Sequence, residues 1–484
     1  MKQKSNTSTR KCRFIIYQIL LCAFSVVLFA SCANVKLPET SSEATSADAA
    51  AESIRDKLPQ TIQFAGDKMT ILVDEPERIL ADDSEIGSVK TAVENRNDYI
   101  SSRYQITLDV KTVSSETIAE ALKENALAGI PEAHAMCYPS KTCVSLLANG
   151  LLADLTSLPD FDTEIVFDED FYSVNTSVGN HLYLLATDTI PYYSDIYCIF
   201  YRTEWLNSLG LVSPVELAKR GEWTVKAFQN YAEQAASAVM QKSSYDVAQD
   251  KFGYSGRTRD LLISLLADGA GLDTVEKQSS NVPTLISSGA GMEQDVSAVR
   301  SLLKSKSRAP YYGGDASEAF LNGRLCFYID KLSFIDVLYE LKMTESSGFD
   351  YGILPLPTGS SGQYHTTVDA DAAVLCVPAN TPNKQLSGLG LTLLAGAGRI
   401  TVKQAAIDSF LAIYSFNNDE SCMFDIILRN TSFTFANVYG SGLEAVYDGT
   451  TGLLYQVLEK GSSLDSLLTK AKESFDECIR SNFQ

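Results

Sequence analysis

The chain has 484 residues, 45% apolar and 21% charged, too long for one hydrophobic core and too apolar for a disordered or fibrous protein; two or three folded domains are expected. Its net charge is -20, and the first 31 residues carry Lys2, Lys4, Arg10, Lys11 and Arg13 with no acid, leaving -25 on the remainder. A surface that negative repels phosphate backbones, which argues against nucleic acid, and poses no barrier to a neutral or cationic solute.

The chain opens with a basic segment through Arg13, an apolar stretch from Phe14 to Phe29, and the small residues Ala30 and Ser31 before Cys32. That order is a secretory signal, and the apolar stretch falls short of the ~20 residues a spanning helix needs. The string Leu28-Phe29-Ala30-Ser31-Cys32 resembles a bacterial lipobox, which implies lipidation of Cys32 and a membrane-anchored, extracytoplasmic protein. An uncleaved signal anchor remains the alternative and leaves the domain on the same side. Residues 32–65, rich in Ser, Thr, Ala and Glu, are expected to form a flexible tether.

From there short β-rich runs alternate with helical segments, predicting α/β architecture. Met69 to Val73 reads as a strand, as do the alternating Ile106, Leu108 and Val110; a helix follows over 115–128 and stops near Gly129, and a further strand lies around Ala133 to Met136. Ile196 to Tyr201 begins a second unit, with a helix over 204–209, another opened by Thr224 as N-cap, and a buried strand from Leu325 to Ile329. Crossover units of this kind make parallel strands, and ligands bind beyond the carboxyl ends of such strands. The strand-end loops hold Asp74 and Glu75, then Cys137, Tyr138 and Pro139, then Asp330 and Lys331.

Seven cysteines follow Cys32, an odd number that rules out a full disulfide framework; Cys198, Cys326 and Cys376 lie in apolar runs and are expected to be buried thiols, while Cys137 and Cys143 are close enough for a loop disulfide. His134, His181 and His365 have neither the spacing nor the cysteine neighbours of a zinc site, so no metal and no cofactor is expected. Gly253-Tyr254-Ser255-Gly256 lacks the spacing of a nucleophile elbow, and no phosphate loop occurs, so the chain is not expected to be an enzyme.

Several strings, in order, resemble the solute-binding proteins of carbohydrate ABC transporters, the maltose-binding group. They are Asn149 to Thr156, Phe200-Tyr201-Arg202 with Leu209-Gly210-Leu211, Gly221 to Thr224 with Phe228, Ala319 to Cys326, Asp350 to Pro357, and Val377-Pro378 with Asn380 and Pro382. The resemblance spans about 66 to 415; Arg202 stands where Asn is usual, and 160–180, 275–295 and 388–402 read as insertions. It implies a two-lobe type II periplasmic-binding fold, closing by hinge bending, with lobe one over 66–188 plus 353–430 and lobe two over 189–352 plus 431–484. Crossovers are expected at 189–195, at 351–357 and near 430–440.

A sugar offers hydroxyls for paired donors and acceptors and flat C–H faces for aromatic rings. The ligand-binding candidates are therefore Asp74, Glu75, Tyr138, Tyr192, Tyr193, Tyr311, Tyr312, Asp330, His365 and Asp369, with Asp371 beside them; Trp205 and Trp223 are expected in packing. The expected partners are a small solute, most naturally a carbohydrate, and the permease subunits of an ABC importer, with the protein itself monomeric. A binding lipoprotein for peptide or polyamine, one that serves a sensory partner, and an extracytoplasmic glycoside hydrolase remain open, the last because acids are numerous enough to pair by chance.

Overall fold

The computed structural model describes residues 54–483 except 56, 61, 63, 82–86, 132, 167–176, 188, 190–192, 278–279, 287–288, 311–313, 345–348, 370, 415–416, 433–434 and 440–451. Cys32 and the signal lie outside the described residues, as do Tyr192, Tyr311 and Tyr312.

In chain order β1 (Lys68–Val73) leads to α1 (Gly87–Tyr104), β2 (Thr107–Thr112), α2 (Ile118–Ala128), β3 (Ala135–Pro139) and α3 (Ser140–Ala148). Then come β4 (Tyr197–Arg202), α4 (Val225–Ala235), β5 (Phe252–Gly256), α5 (Arg259–Gly269), β6 (Leu325–Lys331) and β7 (Tyr351–Leu354). The chain ends with the two-residue β8 (Thr366–Thr367), β9 (Ala373–Cys376), α6 (Lys384–Ile413), α7 (Asn418–Arg429), the two-residue β10 (Thr431–Ser432), α8 (Leu453–Leu458) and α9 (Leu464–Phe483).

These strands form two four-stranded sheets. In the first the order is β9-β3-β1-β2, with β1 parallel to both β2 and β3 and β9 antiparallel at the edge. In the second the order is β7-β4-β6-β5, with β6 parallel to β5 and antiparallel to β4. Strands β1, β3 and β6 are buried on both faces, as strands covered by helices on either side require, while β2, at the edge of its sheet, is partly exposed. Where the sequence placed Asp330 and Lys331 in a loop, the structure has them as the last two residues of β6. The stretch Tyr351–Leu354, expected to cross between lobes, is β7 of the second sheet, and the chain leaves that sheet only afterwards. Helix α7 packs against β7 rather than on the first sheet's side.

Thr224 caps α4 as expected, its side chain accepting from Ala227 N. The tether is shorter than composition implied: Leu58 and Phe64 are buried in the cluster behind the first sheet, because each finds an apolar surface there to cover. Cys137 and Cys143 are both free and buried; the sulfur nearest Cys143 is that of Cys376, at 3.6 Å. Cys198 and Cys326 are buried thiols as well.

Residues 388–402 form the middle of α6, a 30-residue helix that packs on α1. Asn383 starts it, its side chain accepting from Gln385 N and Leu386 N. Gly388 is required for the packing, since a Cβ there would lie 2.2 Å from the carbonyl oxygen of Pro159. Gly388→Ala should therefore destabilise the protein by about 1–3 kcal/mol in urea unfolding, despite a gain in helix propensity of about 1 kcal/mol. An unchanged or higher urea midpoint would mean that the 158–161 segment yields freely.

Candidate functional site

The carboxyl ends of both sheets meet one segment, Val368 to Ala372. On the first sheet's side Ser140 N, at the start of α3, donates to Ala372 O at 3.1 Å, and Lys141 pairs with Asp371 at 2.5 Å. On the second sheet's side Val368 bridges Ile196, and Asp369 N donates to Asp195 O at 2.9 Å. This strap is reached only because β9 enters the first sheet directly after it.

Asp369 sits at the centre. Its carboxylate takes the hydroxyl of Tyr197 at 2.6 Å, Lys331 Nζ at 2.9 Å and its own loop's Asp371 N at 2.8 Å. Lys331 also reaches Asp195 at 3.1 Å. Burial alone would raise the Asp369 carboxyl, but the bonds from Tyr197, Asp371 N and Lys331 outweigh it and hold it below the usual range. Burial would lower the Lys331 ammonium; the bond to Asp369 and the charges of Asp195 and Asp369 reverse this and raise it. The group is thus a locked ion cluster. Arg257, directly after β5, approaches Asp369 at 4.0 Å and leaves 48% of its side chain open to solvent.

The other candidates divide by environment. Asp74, beyond β1, accepts from Arg78 Nε at 2.7 Å and Ser115 Oγ at 3.1 Å, while Glu75 pairs with Arg78 at 3.1 Å and stays exposed. Asp330 is buried, taking the Tyr328 hydroxyl at 2.8 Å and Lys331 N at 2.8 Å, with its carboxyl raised by burial. Tyr138 is core: its ring lies within the sheet's packing and its hydroxyl donates to Val113 O at 2.9 Å. Tyr193 is core too, edge-on to Phe424 at 6.5 Å. His365 packs beside Gly271 near the end of α5, half-buried and with its basicity lowered by burial. Strand ends thus bring Asp330 and Asp369 to one crossover and place Asp74 and Glu75 at the end of the other sheet.

Sequence reasoning missed Asp195, Tyr197 and Arg257. For Arg257 there was a signal: a charged residue straight after a buried strand and before Thr258, the N-cap of α5. It also missed Tyr455 on α8, whose ring lies under Arg259 of α5 at 5.1 Å, on the same end of the second sheet. Trp223 is fully buried, as expected of a packing residue. Among the described residues no group of His, Cys, Asp and Glu is arranged to hold a metal ion, and no helix is long and apolar enough to cross a membrane.

Two α/β lobes, each a four-stranded sheet, with the carboxyl ends of both joined by crossovers, define the two-lobe fold of periplasmic solute-binding proteins. Solved structures that share it include maltose-binding and other sugar-binding proteins. The chain is similar to the maltose-binding protein MalE of Listeria monocytogenes in complex with maltose, at 14% identity, covering 87% of this chain and 99% of that one, with a TM-score of 0.55. It is similar to the sugar-binding protein MalE of Xanthomonas citri, at 15% identity, 85% and 97% coverage and a TM-score of 0.53. The galacto-N-biose/lacto-N-biose I-binding protein of a Bifidobacterium longum ABC transporter gives 12% identity, 87% and 98% coverage and a TM-score of 0.53. No family model and no curated protein sequence matches the chain.

Proposed function

We propose that this chain is an extracytoplasmic solute-binding lipoprotein that takes a sugar or oligosaccharide between its lobes and delivers it to an ABC importer. The observation that carries the reading is the strap at 368–372, which ties the ligand-facing ends of both sheets to one crossover. A pivot there lets one lobe swing against the other while the strand-end groups stay aimed at a shared crevice. The structural neighbours that bind maltose and lacto-N-biose support a carbohydrate as cargo. The basic-apolar-small order before Cys32 supports export and lipidation at that cysteine. Lobe one is then 54–188 with 373–413, and lobe two 196–356 with 418–483.

At the strand ends Glu75 and Arg257 are exposed enough to meet a ligand, as are Lys141 and Asp371: carboxylates to accept from sugar hydroxyls and cations to donate to them. Asp369 serves by holding Lys331 and the strap. A thermal-shift screen of maltose, maltotriose and lacto-N-biose against amino acids and polyamines tests the reading: a sugar should raise Tm without any product appearing. Arg257→Ala should then weaken that sugar about tenfold in calorimetry, a loss of about 1.4 kcal/mol. A rise with amino acids alone, or release of hydrolysed sugar, would displace it.

A further inference from the structure

Two stretches that read as insertions in the sequence, 160–180 and 275–295, meet in the structure. Strands Ser177–Val178 and His181–Leu182 pair as a hairpin fastened to the first lobe. Asp154 accepts from Leu182 N at 3.1 Å and lies 2.8 Å from His181 Nδ1, and Thr156 Oγ1 donates to Asn180 O at 3.1 Å. Strands Val275–Lys277 and Pro283–Leu285 pair antiparallel in the second lobe, a few residues after α5, and α9 packs on Pro283–Leu285.

The two strand pairs are bonded to each other. Gly179 N donates to Asn281 O at 2.9 Å. Asn281 Nδ2 donates to Ser177 Oγ at 2.8 Å and to Gly179 O at 2.9 Å, and Lys277 Nζ donates to Ser177 O. Asn281 turns its carbonyl and its side chain to the same hairpin from a left-handed backbone, φ 57°, which Asn tolerates better than most residues. Beneath the bonds lies an apolar floor: Val178, Val275 and Leu285 are buried in one cluster, and Tyr183 faces Phe483 at the end of α9 with ring centroids 6.3 Å apart. Burial lowers the Lys277 ammonium to about 8. Opening such a joint gives up apolar burial as well as hydrogen bonds, so it holds better than a polar surface contact.

The strap and its neighbours form the other joint. Ile196 bridges Val368 and β8 pairs with β10, so the chain segments that pass between the lobes run side by side. Attachment at one place lets a lobe twist as well as bend. A second attachment that shares no residue with the first leaves rotation about the line joining the two.

We infer that the two hairpins form a standing clasp between the lobes, which together with the strap sets the axis of lobe closure and suppresses twisting. The inference rests on the lobe boundaries given above and is independent of the cargo.

The test is single-molecule energy transfer on the full chain in mild detergent, without ligand. The dyes are carried by azidophenylalanine at Leu127 and at Met343, exposed positions of the first and second lobe. Lys277→Met combined with Asn281→Asp removes the side-chain donors and keeps their size, and the spread of interlobe distances should roughly double. Asn281→Asp alone, which keeps Lys277 and the apolar floor, should broaden it less. In residue-resolved hydrogen exchange the Gly179 amide should be protected in the wild type and exchange about tenfold faster or more in the double variant. A Gly179 amide that exchanges in the wild type like one in an open loop, or a double variant with the wild-type spread of distances, would each overturn the inference. Neither result bears on whether a sugar raises Tm, so the clasp and the proposed cargo fail separately.

Discussion

Lys331→Met should destabilise the protein by about 3 kcal/mol, because it leaves two carboxylates facing one another at the crossover with no cation between them. Lys331 Nζ is 2.9 Å from Asp369 and 3.1 Å from Asp195, with Lys331 16% and Asp369 11% exposed. Breaking a pair that far from water costs more than the pair itself contributes, since the surviving charge keeps its desolvation penalty. Lys331→Met combined with Asp369→Asn should recover most of the loss, and the double-mutant cycle measures the coupling. The pH dependence has a definite sign. The Asp369 carboxyl is depressed below its usual 3.8, so its contribution is present above that pH and is lost as pH falls through the lowered value. Lys331 is raised above 10.5, so its contribution is present below that pH and is lost as pH rises through the raised value. Between about pH 5 and 9 the urea midpoint should show nothing of the cluster, and Asp369→Asn should flatten the acid limb. A wild-type acid limb unchanged by Asp369→Asn would show the cluster to be energetically idle.

The parts of the fold that were legible in the sequence are those fixed by neighbours in sequence. Strands β1, β3 and β6 announce themselves as apolar runs, and Thr224 is an N-cap because its hydroxyl needs only an amide three residues on. What was not legible depends on distant partners. Gly388, Gly390, Gly396 and Gly398 give α6 the composition of a loop, but three of them are where the helix meets Pro159, Met69 and Ile165. Arg202, which departs from the resembling pattern, is anchored on the carbonyls of Phe320 and Leu321 and covers the Phe349 ring at 4.6 Å.

The candidate site shows the same division. That Asp74, Asp330 and Asp369 stand at strand ends or crossovers follows from local pattern. Whether each is free to meet a ligand depends on groups far along the chain: Tyr197 is 172 residues from Asp369 and Ser115 is 41 from Asp74. Aromatic residues next to crossovers were equally ambiguous. Tyr193 faces Phe424 and Tyr138 reaches Val113, while Tyr455, far outside any matched string, is the aromatic found beside Arg259. A sequence supplies the address of a polar side chain more readily than its occupancy.

Trp223→Ala is expected to be the most damaging single truncation in the second lobe, at about 3–5 kcal/mol by urea unfolding. The indole is fully buried, with ring centroids of Phe228, Tyr231 and Phe327 at 5.7, 5.6 and 6.2 Å. Its Nε1 donates to Pro355 O at 3.1 Å, where the chain has just left β7 on its way to the strap. The backbone repeats the tie, Thr358 N donating to Trp223 O and Val225 N to Thr358 O, each at 2.9 Å. The ring therefore fixes both the start of α4 and the path of the crossover. Trp223→Phe separates the two roles: it keeps most of the apolar contact and gives up the hydrogen bond, so it should cost about 1–2 kcal/mol. If the ring only fills space, the two variants should differ in stability yet bind the sugar alike when folded. If it also sets the strap, Trp223→Ala should weaken ligand binding at concentrations of urea where the protein is still native. A loss below about 1 kcal/mol for Trp223→Ala would mean that the surrounding rings close the gap, and that the crossover is held by its backbone bonds instead.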